Sequence, residues 1–220
     1  MRKIIKSIVG RTWKPYVQWY LRAPRKFNYK NISIDIIPGV FHPGFFFSTK
    51  LLISYLEQLD LSEKKILEVG CGSGLVSIFA AKQNAIVTST DIFPLAVSCA
   101  RSNAQINNVN ITFIESDLFQ AIPKQTFDFI VVNPPYYKKK AISPDQFAWY
   151  CGENLEYFSN FFQQAKDFVN EFSRVIMVLS DECDIEGIHA IAKNNGWSWT
   201  QVVNKKTGWE NGFIFDIRMS

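Results

Sequence analysis

Residues 66–136 constrain what this chain can fold into more than any other stretch. They read ILEVGCGSG, then VTSTDIF, then ESDLF, then FDFIVVNPPY, so each of four short apolar runs ends in a turn carrying glycine, an acid or Asn-Pro-Pro-Tyr. Apolar runs of this length bounded by turn residues read as strands, and 127–132 is apolar enough to be buried on both faces. Helical segments over 75–83 and 94–107, the second opened by Pro94, separate the first three runs. Strands alternating with helices imply a parallel, doubly wound α/β sheet, whose turns of one kind all emerge at one edge. The four turns are therefore expected to lie side by side.

The remaining segments fit around that sheet. Residues 27–37 alternate as a β-hairpin turning at Lys30-Asn31, and Ser48 or Thr49 is placed to cap a helix running to 57. After the fourth run, 154–171 reads as a long amphipathic helix and 174–179 as a fifth strand. Asp184 can cap a helix to 195, and 197–203 with 212–219 form a closing antiparallel pair.

At 220 residues, the chain suits one domain, 38–220, behind an N-terminal extension, 1–37. Hydrophobic residues make up 47% and charged residues 20%, which excludes global disorder. The net charge of +4 is unevenly placed, because every charged residue before Asp35 is Lys or Arg. Cys71, Cys99, Cys151 and Cys183 form no Cys-x-x-Cys pair and have no histidine at zinc-site spacing, so neither a metal site nor a redox motif is expected. The sequence alone suggests no catalytic partner for His42, which is assigned no chemistry. The basic start breaks at Trp13-Lys14-Pro15 rather than continuing into a signal sequence, and no apolar run approaches the ~20 residues of a membrane span. A cytoplasmic protein is expected.

The extension interleaves its cations with Trp13, Tyr16, Trp19, Tyr20, Phe27 and Tyr29, and Pro15 and Pro24 can bracket a short helix. Such a segment can bind RNA or a ribosome, cap the domain with its aromatics, or lie on a membrane surface.

The turns carry the chemistry. A glycine-rich turn between strand and helix lets a ligand approach the backbone, and an acid about 20 residues on can hold two ribose hydroxyls. Glu68, Gly70, Gly72, Gly74 and Asp91 fit that pattern, and Asp117 follows the third strand where it could accept from an adenine amino group. Ile92 and Leu118, which follow the two acids, are counted with the cofactor contacts. The turn is G-C-G-S-G rather than G-x-G-x-x-G, which weakens a nicotinamide assignment. Asn133-Pro134-Pro135-Tyr136 offers two acceptors, the Asn133 side-chain oxygen and the Pro134 carbonyl, beside a ring that can stack. That suits a flat N–H-bearing acceptor whose nitrogen lone pair is delocalised.

On PGVFHP, LEVGCGSG, TDIFPLAVSCARSNAQINN, SDLF and FDFIVVNPPY, the chain resembles the class I S-adenosylmethionine-dependent methyltransferases. It is similar in particular to the small-methyltransferase group that includes release-factor glutamine methyltransferases and rRNA guanine-N2 methyltransferases. The resemblance implies a Rossmann-like, seven-stranded, mostly parallel sheet and S-adenosylmethionine as cofactor. It implies cofactor contacts at Gly70, Gly72, Gly74, Asp91 and Asp117, and places Asn133, Pro134 and Tyr136 on the target nitrogen, with Asn133 also beside the cofactor. Residues 1–37 are too short for the separate helical domain of the glutamine enzymes, and FFFST stands where their acidic residue lies. Phe46, Phe47, Tyr137, Lys138, Lys139 and Lys140 are candidate substrate contacts. The expected activity is N-methylation of an exocyclic base amine in RNA; a release-factor glutamine is the alternative acceptor, and a non-catalytic RNA-binding domain a further one.

Overall fold

The order in which strands join the sheet decides where its turns meet. The computed structural model describes residues 22–142, 146–207 and 210–220. The helix proposed between Pro15 and Pro24, with Trp13, Tyr16, Trp19 and Tyr20, lies outside the described residues.

The hairpin comprises β1 (Arg25–Tyr29) and β2 (Ile32–Ile36), with Lys30 in its turn at a φ of 52°. Then follow α1 (Phe47–Leu56), β3 (Lys65–Val69), α2 (Leu75–Lys82), β4 (Ile86–Asp91), α3 (Pro94–Ile106) and β5 (Thr112–Glu115). The second half is β6 (Phe129–Val132), α4 (Glu156–Ala165), β7 (Arg174–Ser180), α5 (Ile185–Asn194), β8 (Trp197–Thr207) and β9 (Glu210–Met219). The main sheet has seven strands in the order β5-β4-β3-β6-β7-β9-β8. β9 runs antiparallel to both its neighbours, and every other pairing is parallel.

Side-chain alternation explains why both faces are covered. In β6, Phe129 and Val131 face one apolar cluster while Ile130 and Val132 face another; β7 divides Ile176 and Val178 from Val175, Met177 and Leu179 in the same way. The first cluster is closed by α1, α2 and α3, the second by α4 and α5. Ile32, Ile34 and Ile36 of the hairpin are buried in the first cluster. The described part of the expected extension is thus packed into the domain.

Three local expectations shift. Phe46, rather than Ser48 or Thr49, is the N-cap residue of α1, and it makes no side-chain cap bond. The long helix expected after the fourth run is cut to ten residues, because Lys166–Phe168 tightens into a 3-10 turn that buries Phe168 against Phe119 and Phe127. β8 outruns its apolar pattern, since it is the edge strand and most of its residues face solvent. The Asp184 cap forms as expected, its Oδ1 accepting from the Gly187 N–H at 3.1 Å. Among the described residues, no helix is long and apolar enough to cross a membrane.

Candidate active site

After β3 the chain moves outward through β4 to β5, then returns on the other side of β3 as β6. A crevice opens at the strand C-termini where the winding reverses. Val69 is level with Thr90 of β4 and with Val132 of β6. The next residues, Gly70, Asp91 and Asn133, therefore emerge together. They line a cavity of ≈ 710 Å³, within the usual range for ligand sites.

Gly70, Gly72 and Gly74 have φ values of +76°, +51° and +82°, left-handed conformations that penalise any residue with a Cβ. A Cβ on Gly70 would meet nothing within 4 Å, so its backbone is open to a ligand. A Cβ on Gly74 would lie 2.9 Å from that of Ala100, so this glycine seats the turn on α3. Asp91 accepts from the N–H groups of Gly72 (2.9 Å) and Phe93 (3.0 Å), one on each oxygen. Burial raises its pKa, and those donors, with the Ile92 N–H, oppose the rise. Each carboxylate oxygen keeps acceptor capacity for ribose hydroxyls.

Glu68 is buried behind the turn. Its Oε2 accepts from both the amide (2.8 Å) and the hydroxyl of Ser77, and that hydroxyl also contacts Ser89 Oγ at 2.8 Å. Burial pushes the carboxyl up to about 8. Asp117 is exposed at the cavity rim, with Gln120 Nε2 donating to it at 3.3 Å; Leu118 is buried in a left-handed conformation at φ 52°. Ile92 is exposed and lines the cavity.

Across the cavity, Pro134 and Pro135 are buried and stiffen the turn after β6. Asn133 is held at both ends: its Nδ2 donates to Ser48 Oγ at 3.3 Å, and its Oδ1 accepts from the Tyr136 hydroxyl at 3.0 Å. The chain beyond is strapped to this turn, as the Tyr137 N–H donates to the Trp149 carbonyl and its own carbonyl accepts from the Cys151 N–H, both at 2.9 Å. That strap brings Trp149 to Phe41 and Phe46, with ring centroids 5.8 and 5.3 Å away, while Phe41 and Phe46 stack at 4.7 Å. The Phe41 Cβ is only 3.6 Å from where a Cβ on Gly72 would be. These three rings roof the gap between the glycine turn and the Asn133 turn.

Of the other expected substrate contacts, Phe47, Tyr137 and Lys140 line the cavity, whereas Lys138 and Lys139 do not. Phe47 is half-buried and lines the cavity. The Tyr137 hydroxyl donates to Glu182 Oε2 at 2.7 Å, Lys138 pairs with Asp184 at 2.9 Å, and Lys139 lies 5.1 Å over the Tyr150 ring. Lys140 is exposed on the cavity wall. Sequence reasoning missed Phe41, Trp149, Ser48 and Tyr157. The Tyr157 hydroxyl pKa is raised by burial and by the charges of Asp91 and Asp117. Ser48 carried a signal, but of a helix cap; Trp149 and Tyr157 carried none.

A doubly wound sheet with a glycine turn, an acid and an Asn-Pro-Pro-Tyr turn at adjoining strand ends is the arrangement of an S-adenosylmethionine-dependent methyltransferase. The family model described as the methyltransferase small domain matches residues 31–193, and the chain belongs to that family. It is 35% identical over 178 residues to a putative protein N5-glutamine methyltransferase of Methanocaldococcus jannaschii, covering 80% of this chain and 83% of the relative. It is 34% identical over 144 residues to ribosomal RNA small subunit methyltransferase C of Buchnera aphidicola, covering 60% of this chain but 41% of the relative. The fold also matches the Thermus thermophilus 16S rRNA N2 G1207 methyltransferase, solved with AdoMet and guanosine. That match has a TM-score of 0.70 and 18% identity over 90% of this chain and 51% of that one. The cofactor is S-adenosylmethionine, and the site fits it: Gly70 leaves its backbone bare toward the cavity, and Asp91 presents acceptors there.

Proposed function

We propose that the chain methylates an exocyclic amino nitrogen of a base in RNA. S-adenosylmethionine supplies an electrophilic methyl group; as the acceptor lone pair forms the new N–C bond, the S–C bond breaks, and the nitrogen then sheds a proton. The chain's task is to aim a poorly nucleophilic, delocalised nitrogen at that methyl. Asn133 Oδ1 has a second lone pair beyond the one engaged by Tyr136. With the Pro134 carbonyl it can hold both N–H hydrogens, leaving the nitrogen lone pair directed at the donor.

The observation that supports a base as acceptor is the cluster of Phe41, Phe46 and Trp149 lining the same cavity as Tyr136. Stacking rewards a flat heteroaromatic ring, at roughly 1–3 kcal/mol per base. Exposed Lys140 on the cavity wall, with exposed Lys139 next to it in the chain, suits a phosphate backbone.

A second acceptor, a protein glutamine, is favoured by different observations. The M. jannaschii relative is covered over 83% of its length, against 41% of the rRNA relative. Lys138 is also already neutralised by Asp184. Incubating the protein with tritiated S-adenosylmethionine and either total RNA or ribosome-free protein from a strain lacking it decides between them. Label in RNA is the expected result; label confined to protein reverses the assignment.

A further inference from the structure

Asn103 in the last turn of α3 and Asn107, its C-cap residue, lie one turn apart, both buried and both turned toward the hairpin. Asn103 Oδ1 accepts from the Asp35 N–H at 2.8 Å, and its Nδ2 donates to the Asp35 carbonyl at 2.9 Å. Asn107 treats Ser33 in the same way, at 3.2 Å and 2.7 Å. Two side-chain amides thus imitate a neighbouring strand along the edge of β2 that β1 leaves unpaired.

The two residues differ in where the other Nδ2 hydrogen goes. That of Asn107 returns to the Asn103 carbonyl within the helix, at 2.8 Å. That of Asn103 reaches the Ser73 carbonyl at 2.9 Å, between the two glycines that most tightly shape the cofactor turn. Asp35 is the penultimate residue of β2, and the chain leaving that strand carries Phe41 and Phe46. One fully buried amide therefore joins the chain leading to the acceptor roof to the turn that receives the cofactor.

We infer that Asn103 is a positioning residue that couples the hairpin and roof to the cofactor turn, whereas Asn107 only anchors the hairpin. This rests on the assignment of S-adenosylmethionine as cofactor, which binding to the wild-type chain checks first. Cofactor bound at the glycine turn stabilises Ser73 and, through Asn103, the backbone of Asp35; by reciprocity, loosening Asp35 weakens cofactor binding.

The test compares Asn103→Ala, Asn103→Asp and Asn107→Ala by calorimetry with S-adenosylhomocysteine, alongside thermal melting. Asn103→Asp retains the acceptor for Asp35 N–H but sets an oxygen against both the Ser73 and the Asp35 carbonyls. Both Asn103 variants should bind about tenfold more weakly, the loss expected of one positioned hydrogen bond. Asn107→Ala should melt lower yet bind within about twofold of wild type. Equal weakening by Asn107→Ala, or unchanged binding in Asn103→Asp, overturns the inference. Should the Asn103 variants not fold, hydrogen exchange on the wild-type chain supplies the answer. S-adenosylhomocysteine should slow exchange of the Asp35 amide and leave that of Ser33 unchanged; equal protection at both, or at neither, overturns the inference.

Discussion

The Tyr136 hydroxyl donates to Asn133 Oδ1 across 3.0 Å, so the proposed stacking ring also orients the oxygen proposed to receive the acceptor N–H. Ser48 fixes the other end of the same amide. Asn133→Ala should therefore lower kcat by at least about 10², the scale for losing one preorganised polar contact to a reacting group. Cofactor affinity should hardly change. Tyr136→Phe keeps the ring and releases the amide, so a smaller loss, about tenfold, is expected. Steady-state kinetics beside calorimetry check both; a parallel loss of cofactor affinity in Asn133→Ala would place that residue on the cofactor instead.

Gly70 and Gly74 share a left-handed backbone but not their surroundings. Alanine at either carries the backbone penalty of about 1–2 kcal/mol. At Gly74 it also drives into Ala100, adding about 1–3 kcal/mol of overpacking. Gly74→Ala should accordingly show the larger fall in melting temperature. Gly70→Ala should melt closer to wild type while losing most cofactor affinity, because its methyl enters the ligand space. Equal melting temperatures for the two variants would contradict the close packing on α3.

The roof predicts a division between the two substrates. Trp149→Ala opens one wall without touching the glycine turn, so it should raise the acceptor KM about tenfold, the lower part of the stacking range. Affinity for S-adenosylmethionine should stay within about twofold. An unchanged acceptor KM would reduce the three rings to a packing role.

These contrasts also mark what could be read before the fold was known. β3 and the Asp184 cap were legible because their causes are local: a strand-length apolar run, and a carboxylate placed to accept a helix N–H. The four turns were legible because parallel winding brings them to one edge. Ser48 was not, since its partner is Asn133, 85 positions away, and a Ser-Thr pair before an apolar stripe is an ordinary cap signal. Asn103 resembles any polar residue on a helix until β2 packs beside it. Lys138 looked like part of a cationic run, but its charge is met by Asp184 on a later element.

Glu68 provides a pH-dependent test of the site's interior. Burial lifts its carboxyl from the ordinary 4.5 to about 8, with the Ser77 donors opposing the rise and the Asp91 charge adding to it. The folded chain then keeps a proton that the unfolded chain releases near pH 4.5. The stability this group contributes is intact below that pH and is lost progressively as pH rises toward 8. Glu68→Gln cannot ionise, and its amide oxygen can still accept from the amide and hydroxyl of Ser77. The variant should melt within a degree or so of wild type at pH 5 and about 3 °C or more above it at pH 8.5, since 1 kcal/mol is worth about 2–4 °C at this chain length. A melting difference of the same size at both pH values would mean that Glu68 is ionised throughout, with its charge compensated inside the fold.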